Sequence, residues 1–222
     1  MTDWSVISCG MDRQVDTRRR RAPALPAEER MEEILRAAAE VFTEKGFASA
    51  RIEDVAQRAG IAKGTVYLHF ASKEALFKAL VETVVAPSVG HMEELMRDDE
   101  IPSAELLRRV LGVVRGEILG TERRRVVRLV VTEGHRFPDI ARLYHDKVIR
   151  RAMGLLRRIV ERGIVRGEFA HDELLRFPQL FAAPLLVAVV WHELFEPRES
   201  LDADAMLDAH LGLMLRGLGA ET

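Results

Sequence analysis

Residues 52–70, IEDVAQRAGIAKGTVYLHF, restrict the fold more than any other part of the chain. Two short helical stretches flank Gly60-Ile61-Ala62, which is the spacing of a helix-turn-helix. Val55 and Ala59 lie one turn apart on the inner face of the first stretch, and Ala56 is small where the second must approach. Gly60 supplies a left-handed turn that would cost a residue bearing a Cβ about 1–2 kcal/mol. Ile61 fills the space between the helices, while Val66 and Phe70 anchor the second from below. Lys63, Thr65, Tyr67 and His69 are left facing outward, and a short helix with basic and hydrogen-bonding tips suits the major groove of DNA. A plain helical hairpin uses the same Ala and Gly pattern, so the flanking sequence has to decide.

The flanks are helical too. From Ala27, the residues Ile34, Leu35, Ala38, Val41 and Phe42 recur on one face of a 3.6-residue period. Glu28, Glu29, Glu32 and Glu33 suit the positive end of that helix, and Gly46 stands where a C-terminal glycine cap belongs. Ser72 is a good N-cap for a fourth helix with Leu76, Phe77, Leu80, Val81 and Val84 on one face. Beyond Pro87 the pattern predicts helices at 103–119, 122–136, 138–166, 171–195 and 201–218. No stretch alternates apolar and polar residues between turn signals, so no strands are expected. The fold class is therefore all-α, with a flexible arm at 1–26, a helix-turn-helix domain at 27–85 and a larger helical domain at 86–222.

Composition excludes several classes. The 222 residues are 48% apolar, enough for a core without staples, and the single cysteine, Cys9, rules out an intrachain disulfide or a Cys-x-x-Cys metal site. A reducing cytoplasm is expected, because the N-terminus lacks the apolar run of a signal peptide. Met11 offers a second candidate start. The longest charge-free stretch, 177–192, is 16 residues with two prolines. That is short of the roughly 20 a membrane span needs, and it reads as a buried core helix. A formal net charge of −2 gives no hint of nucleic acid. Divided along the chain, residues 13–21 are net +4 and 45–78 net +3, offset by net −4 in each of 27–44 and 196–222. The basic segments coincide with the helix-turn-helix and the arm before it.

With those residues in view, 30–80 resembles the DNA-binding domain of the TetR family of bacterial transcriptional regulators. The resemblance is carried by ILRAAAEVFTEKGF, then IEDVAQRAGIAKGTVYLHF, then ASKEALFKAL. It implies that the second short helix enters the major groove and that dimers bind palindromic operators in double-stranded DNA. Lys63, Gly64 and Thr65 would then meet base edges or phosphates, and Tyr67 would hydrogen-bond a phosphate. His69 divides evenly between packing and DNA contact. Lys73, at the start of the fourth helix, would share a phosphate with exposed amides. Two positions depart from the pattern. Arg51 stands where Ser or Thr often caps the first short helix, which gives it access to phosphate or a base edge, and Ala62 stands where the turn often has Ser. Arg18, Arg19, Arg20 and Arg21 form either a solvated tail or an arm following the DNA backbone or minor groove.

The same resemblance implies a second domain that dimerises and holds an inducer pocket. The apolar segments 174–195 and 201–218 read as dimer helices, two per subunit in a four-helix bundle. Pocket candidates are His135, Phe137, Tyr144, His145, Phe177, Trp191 and His192, with Met92, Met96 and Met153 able to shape an adaptable apolar wall. Low polarity in these helices favours a hydrophobic or aromatic small-molecule inducer. No cofactor or metal is expected: WHELF lacks a second His, and His135, His145, Asp139 and Asp146 match no ligand spacing. Without a phosphate loop or nucleophile elbow, an enzyme is not expected. The expected protein is a cytoplasmic homodimeric repressor, not membrane-bound, released by its ligand. A regulator without small-molecule control, and an activator, are the alternatives.

Overall fold

The computed structural model describes residues 26–220, which form helices joined by short turns, with no strand among the described residues. The arm with Arg18, Arg19, Arg20 and Arg21, together with Cys9 and Met11, lies outside them. The first helix, α1 (Ala27–Ser49), buries the expected face, including Ile34, Leu35, Ala38, Val41 and Phe42. Gly46 takes the left-handed φ of a terminating glycine (φ 73°, ψ 156°), yet a further turn carrying Phe47 follows it. The kink aims the Phe47 ring inward, where it meets Phe42 and Phe77 at centroid distances of 5.3 and 5.7 Å.

Helices α2 (Ile52–Arg58) and α3 (Lys63–His69) are joined as the sequence predicts. Gly60 adopts φ 66°. Its N–H donates to the Gln57 carbonyl at 3.2 Å, and the Ile61 N–H donates to Ala56 at 3.0 Å. That pair of bonds is a Schellman motif, which ends α2 and sets the entry angle of α3. Ser72 caps α4 (Lys73–Leu80), accepting the Ala75 N–H at 3.1 Å.

The fourth helix does not stop at 85. It runs through a π-helical stretch, Val81–Val85, directly into α5 (Ala86–Glu94), so a continuous rod crosses the expected domain boundary. Pro87 has no N–H to give and its ring crowds the carbonyl four residues back, which would break an ordinary helix. The wider turn relieves this, with the Ala86 N–H donating to Val81 O. Arg123 stitches the junction, donating from Nε to Val84 O at 2.7 Å and from Nη1 to Glu117 O at 3.1 Å.

The larger domain comprises α6 (Ser103–Val113), α7 (Arg123–Glu133), α8 (Pro138–Tyr144), α9 (Arg150–Val165), α10 (Glu173–Arg176), α11 (Gln179–Leu194) and α12 (Ala203–Gly217). A π-helical stretch extends α6 to Leu119, and another joins α8 to α9. The helix expected over 171–195 is broken between α10 and α11, because Pro178 forces Phe177 out of the helical region (φ −129°, ψ 68°). Nor is 177–192 buried throughout in the protomer: Phe181, Ala188 and Val189 face the core, whereas Leu180, Leu186 and Val187 face outward, as does Leu194 just beyond. Pro184 deprives the Leu180 carbonyl of its helical donor, and His210 of α12 replaces it with an Nε2–H bond of 2.9 Å. The two domains meet where α7 lies along α1 and α8 lies against α4.

Candidate nucleic-acid interface and effector cavity

On α3, Val66 is fully buried and roots the helix in the core. The opposite face is open. Lys63, Gly64, Tyr67, Leu68 and His69 are exposed, and Thr65 is half-buried at the edge. The Lys63 ammonium pairs with the Glu53 carboxylate of α2 and stands 5.6 Å from the Tyr67 ring centroid. Its hydrogen bond holds the Glu53 carboxyl below the usual carboxylate range, and the Lys63 pKa is raised in return. Gly64 leaves open space where a Cβ would stand. The His69 ring lies 6.3 Å from that of Phe70, beside the core and not within it. Leu68 is the residue the sequence reading passed over: counting two positions from Val66, about 200° around the helix, would have put it opposite the core.

The caps at the two departures are resolved differently. Asp54 accepts the Arg51 N–H at 3.0 Å, the half of a capping box that the third helical position supplies, and is steadied by Lys45 at 2.8 Å. The Arg51 side chain is exposed. Ala62 gives α3 no side-chain cap. Arg58 points away from this face, bonded to Glu40 at 2.9 Å and Glu44 at 2.5 Å on α1.

Lys73 is engaged within the protein. Its ammonium donates to the carbonyls of Phe47, Ala48 and Ala50 at 2.5, 3.1 and 3.2 Å, and sits 4.5 Å from the Phe47 ring centroid. All three protons are spent on the C-terminal end of α1, where unpaired carbonyls and the helix dipole both favour a cation. In this arrangement it clamps α1 to α4.

In the larger domain an apolar cavity of about 80 Å³ lies between α5, α6, α9 and α11. Val89 and Met92 come from the rod, Val110 from α6, Leu155 from α9 and Phe181 from α11. Tyr144 supplies the cavity's one side-chain oxygen, and burial pushes its phenol above the usual tyrosine range. A second, open cleft of about 360 Å³ runs between α1, α7, α11 and α12. Its walls carry Glu40, Glu44, Arg124, Arg125, Arg128 and Glu193, and Arg128 and Glu193 are paired at 2.8 Å.

Comparison with known proteins places both regions. The model of "Bacterial regulatory proteins, tetR family" matches residues 34–80, and "Tetracyclin repressor-like, C-terminal domain" matches residues 103–213. The transcriptional repressor BepR of Brucella suis is 30% identical over 179 residues, covering 77% of this chain and 81% of that protein. The chain belongs to the TetR family. The TetR family is one of bacterial regulatory proteins. Some likenesses are local: the activator FasR of Mycolicibacterium smegmatis is 37% identical over 78 residues, covering 35% of this chain and 36% of that protein. The chain spans about a third of the length of three curated relatives it matches, at 29% to 36%. In structure, the regulator FadR of Bacillus subtilis, solved with stearoyl-CoA, superposes with a TM-score of 0.68 at 22% identity, covering 84% of this chain and 98% of that one. That likeness speaks to the fold.

In this TetR-family chain, the seven pocket candidates scatter. Tyr144 alone among them lines the apolar cavity, joined by Met92 and Met153, while Met96 packs elsewhere on the core. Phe137 points the other way, its ring meeting Phe47 edge-on at 5.0 Å across the domain interface. His192 lines the charged cleft. Trp191 donates from Nε1 to Glu199 O at 2.9 Å and meets the Phe195 ring edge-on, a local tie at the end of α11. His135 and Phe177 are exposed, and His145 is exposed beside Asp146 at 3.2 Å. Among the described residues no helix is long and apolar enough to cross a membrane.

Proposed function

We propose that the protein is a cytoplasmic homodimeric repressor whose two α3 helices enter successive major grooves of a palindromic operator, and that a hydrophobic ligand in the α5–α6–α9–α11 cavity releases it. Lys63, Gly64, Thr65, Tyr67, His69 and Arg51 form the DNA face in this reading. The observation that carries the coupling is the unbroken rod from Lys73 to Glu94. One end clamps the last turn of α1 through Lys73, and the other contributes Val89 and Met92 to the cavity wall. A ligand that displaces the wall displaces the helix-turn-helix.

The outward stripe Leu180, Val187 and Leu194 on α11, with Leu213 on α12, supports the dimer. A contiguous apolar face of this kind on a water-soluble protomer marks a protein contact. The cavity lining supports an apolar ligand, and its single hydroxyl supports one polar anchor. A pocket for a drug-sized ligand is about 300–1,000 Å³. The cavity is far smaller, so ligand entry requires its walls to part. Met92 and Met153, with unbranched side chains, can yield. The stearoyl-CoA complex of the Bacillus subtilis regulator makes long-chain acyl-CoA the first probe to try.

The test is to select an operator from random duplexes with the full chain, then measure ligand affinity with and without saturating operator. Long-chain acyl-CoA thioesters and a panel of aromatic compounds are the probes. Linkage requires a ligand that releases DNA to bind more weakly when DNA is present. Equal affinities for every ligand that binds would refute the coupling.

A further inference from the structure

We propose that Leu68 is a specificity-determining residue that reads thymine, its side chain resting on the C5-methyl group displayed in the major groove while Gly64 clears its approach. The inference rests on the reading of α3 as the helix that enters the groove. Leu68 is 85% exposed, on a helix whose other outward side chains are polar. It lies opposite Val66, the residue that roots α3 in the core, and so projects furthest toward whatever α3 meets.

Its surroundings narrow what it can meet. Helical side chains lean toward the N-terminus of their helix, over the residue one turn earlier. For Leu68 that residue is Gly64, where a Cβ would have nothing within 4 Å. The isobutyl group therefore makes a short apolar strip beside the space that Gly64 leaves open. Lys63 and Tyr67 border it on one side, and Thr65 on the other. Leucine has no donor for a phosphate. Against adenine, guanine or cytosine it would cover donors and acceptors without replacing their hydrogen bonds to water. Thymine alone presents an apolar group in the major groove. The strip thus matches one base of the four, and the polar groups around it remain for phosphates and neighbouring base edges.

The decisive experiment replaces thymines of the selected operator one at a time by deoxyuridine, which removes only the methyl group. Wild-type protein and Leu68→Ala are then titrated against each duplex. Because Leu68 is exposed and alanine is a strong helix former, the variant retains the fold, and a matching unfolding midpoint verifies this. One thymine per half-site should weaken wild-type binding about fourfold on losing its methyl, the factor expected for one methyl group withdrawn from water. Leu68→Ala should be indifferent at that position and respond like wild type at every other thymine. The inference is overturned if no deoxyuridine weakens wild-type binding, or if the variant loses as much as wild type wherever a methyl is removed. If selection with wild-type protein enriches no duplex, the groove-reading role of α3 falls, and this inference with it.

Discussion

Lys73→Met separates a structural clamp from a phosphate ligand. Methionine keeps most of the stem and deletes the charge, so the change isolates the ammonium. In the native protein that group satisfies the Phe47, Ala48 and Ala50 carbonyls and faces the Phe47 ring. A hydrogen bond to a charged group contributes about 1.5–3 kcal/mol when removed singly. The three share one half-exposed donor, however, and water can reach the carbonyls once it is gone. A cation at a partly buried helix C-terminus stabilises by up to about 2 kcal/mol, and we expect a total loss near that value. For a domain of this size it lowers the melting temperature by about 4–8 °C. Denaturant titration measures the loss, and the salt dependence of operator binding measures the other role. As a clamp, Lys73 leaves the slope of log K against log salt unchanged. As a phosphate ligand it would reduce that slope by about 0.9 per contact. Unchanged stability with a reduced slope would refute the assignment.

Gly46→Ala forces a Cβ onto φ 73° and within 3.0 Å of Glu133 Oε1, so it should destabilise by about 1–2 kcal/mol in denaturant titration. Wild-type stability would mean that the kink relaxes freely. Val187→Glu places a charge in the centre of the exposed α11 stripe and should give a monomer by sedimentation with its helicity retained; a persisting dimer would relocate the interface. Acid should weaken the α5–α9 contact. The Arg151 guanidinium, 2.7 Å from Glu93, holds that carboxyl below its ordinary value of 4.5. A carboxylate depressed in the folded state stabilises above its unfolded pKa, and that contribution disappears as pH falls through the folded one. Stability should therefore decline below about pH 4.5, and Glu93→Gln should flatten the decline. An equally steep acid limb in the variant would place the titrating groups elsewhere.

Local signals in this sequence are those whose physics stays within a few residues. Ser72 caps α4 and Gly60 closes the Schellman turn because both need only near neighbours. The periodicity over 103–119 likewise reports a helix that later packing does not disturb. Pro87 misleads, since its cost is absorbed by a π-helical turn in which the Val84 carbonyl is taken by Arg123, 39 positions along. The Lys73 clamp was hidden for a similar reason: the carbonyls it reaches are exposed by the Gly46 kink, which motif position does not reveal. The cavity was least legible. A polar or aromatic residue interrupting an apolar helix shows that something is unusual without giving its direction. Phe137 faces the DNA-binding domain and Tyr144, seven positions later, faces the cavity.

That divergence bears on how the two proposed activities are joined. An 80 Å³ cavity cannot admit an acyl or aromatic ligand unless a wall moves. The α6 and α9 walls are rooted by Leu106, Leu107, Leu155 and Ile159, all fully buried, and shifting them would disrupt the core. The α5 wall is the end of a rod about 33 Å long, at 1.5 Å per residue, whose midpoint is a π-helical turn. At that turn the rod is tied by the Arg123–Val84 bond and by the exposed Lys147–Glu82 pair at 2.7 Å. The rod is buried as deeply, at Leu80, Val81 and Val85, but it continues from the cavity wall into the helix-turn-helix domain, so in the proposed mechanism it is the wall that moves. Displacing its Met92 end about the π turn moves Lys73 at the other, and with it the α1 terminus on which α2 and α3 are built. In the proposed mechanism a ligand shifts the equilibrium only by its preference for the opened cavity. The small closed volume is what makes that preference large.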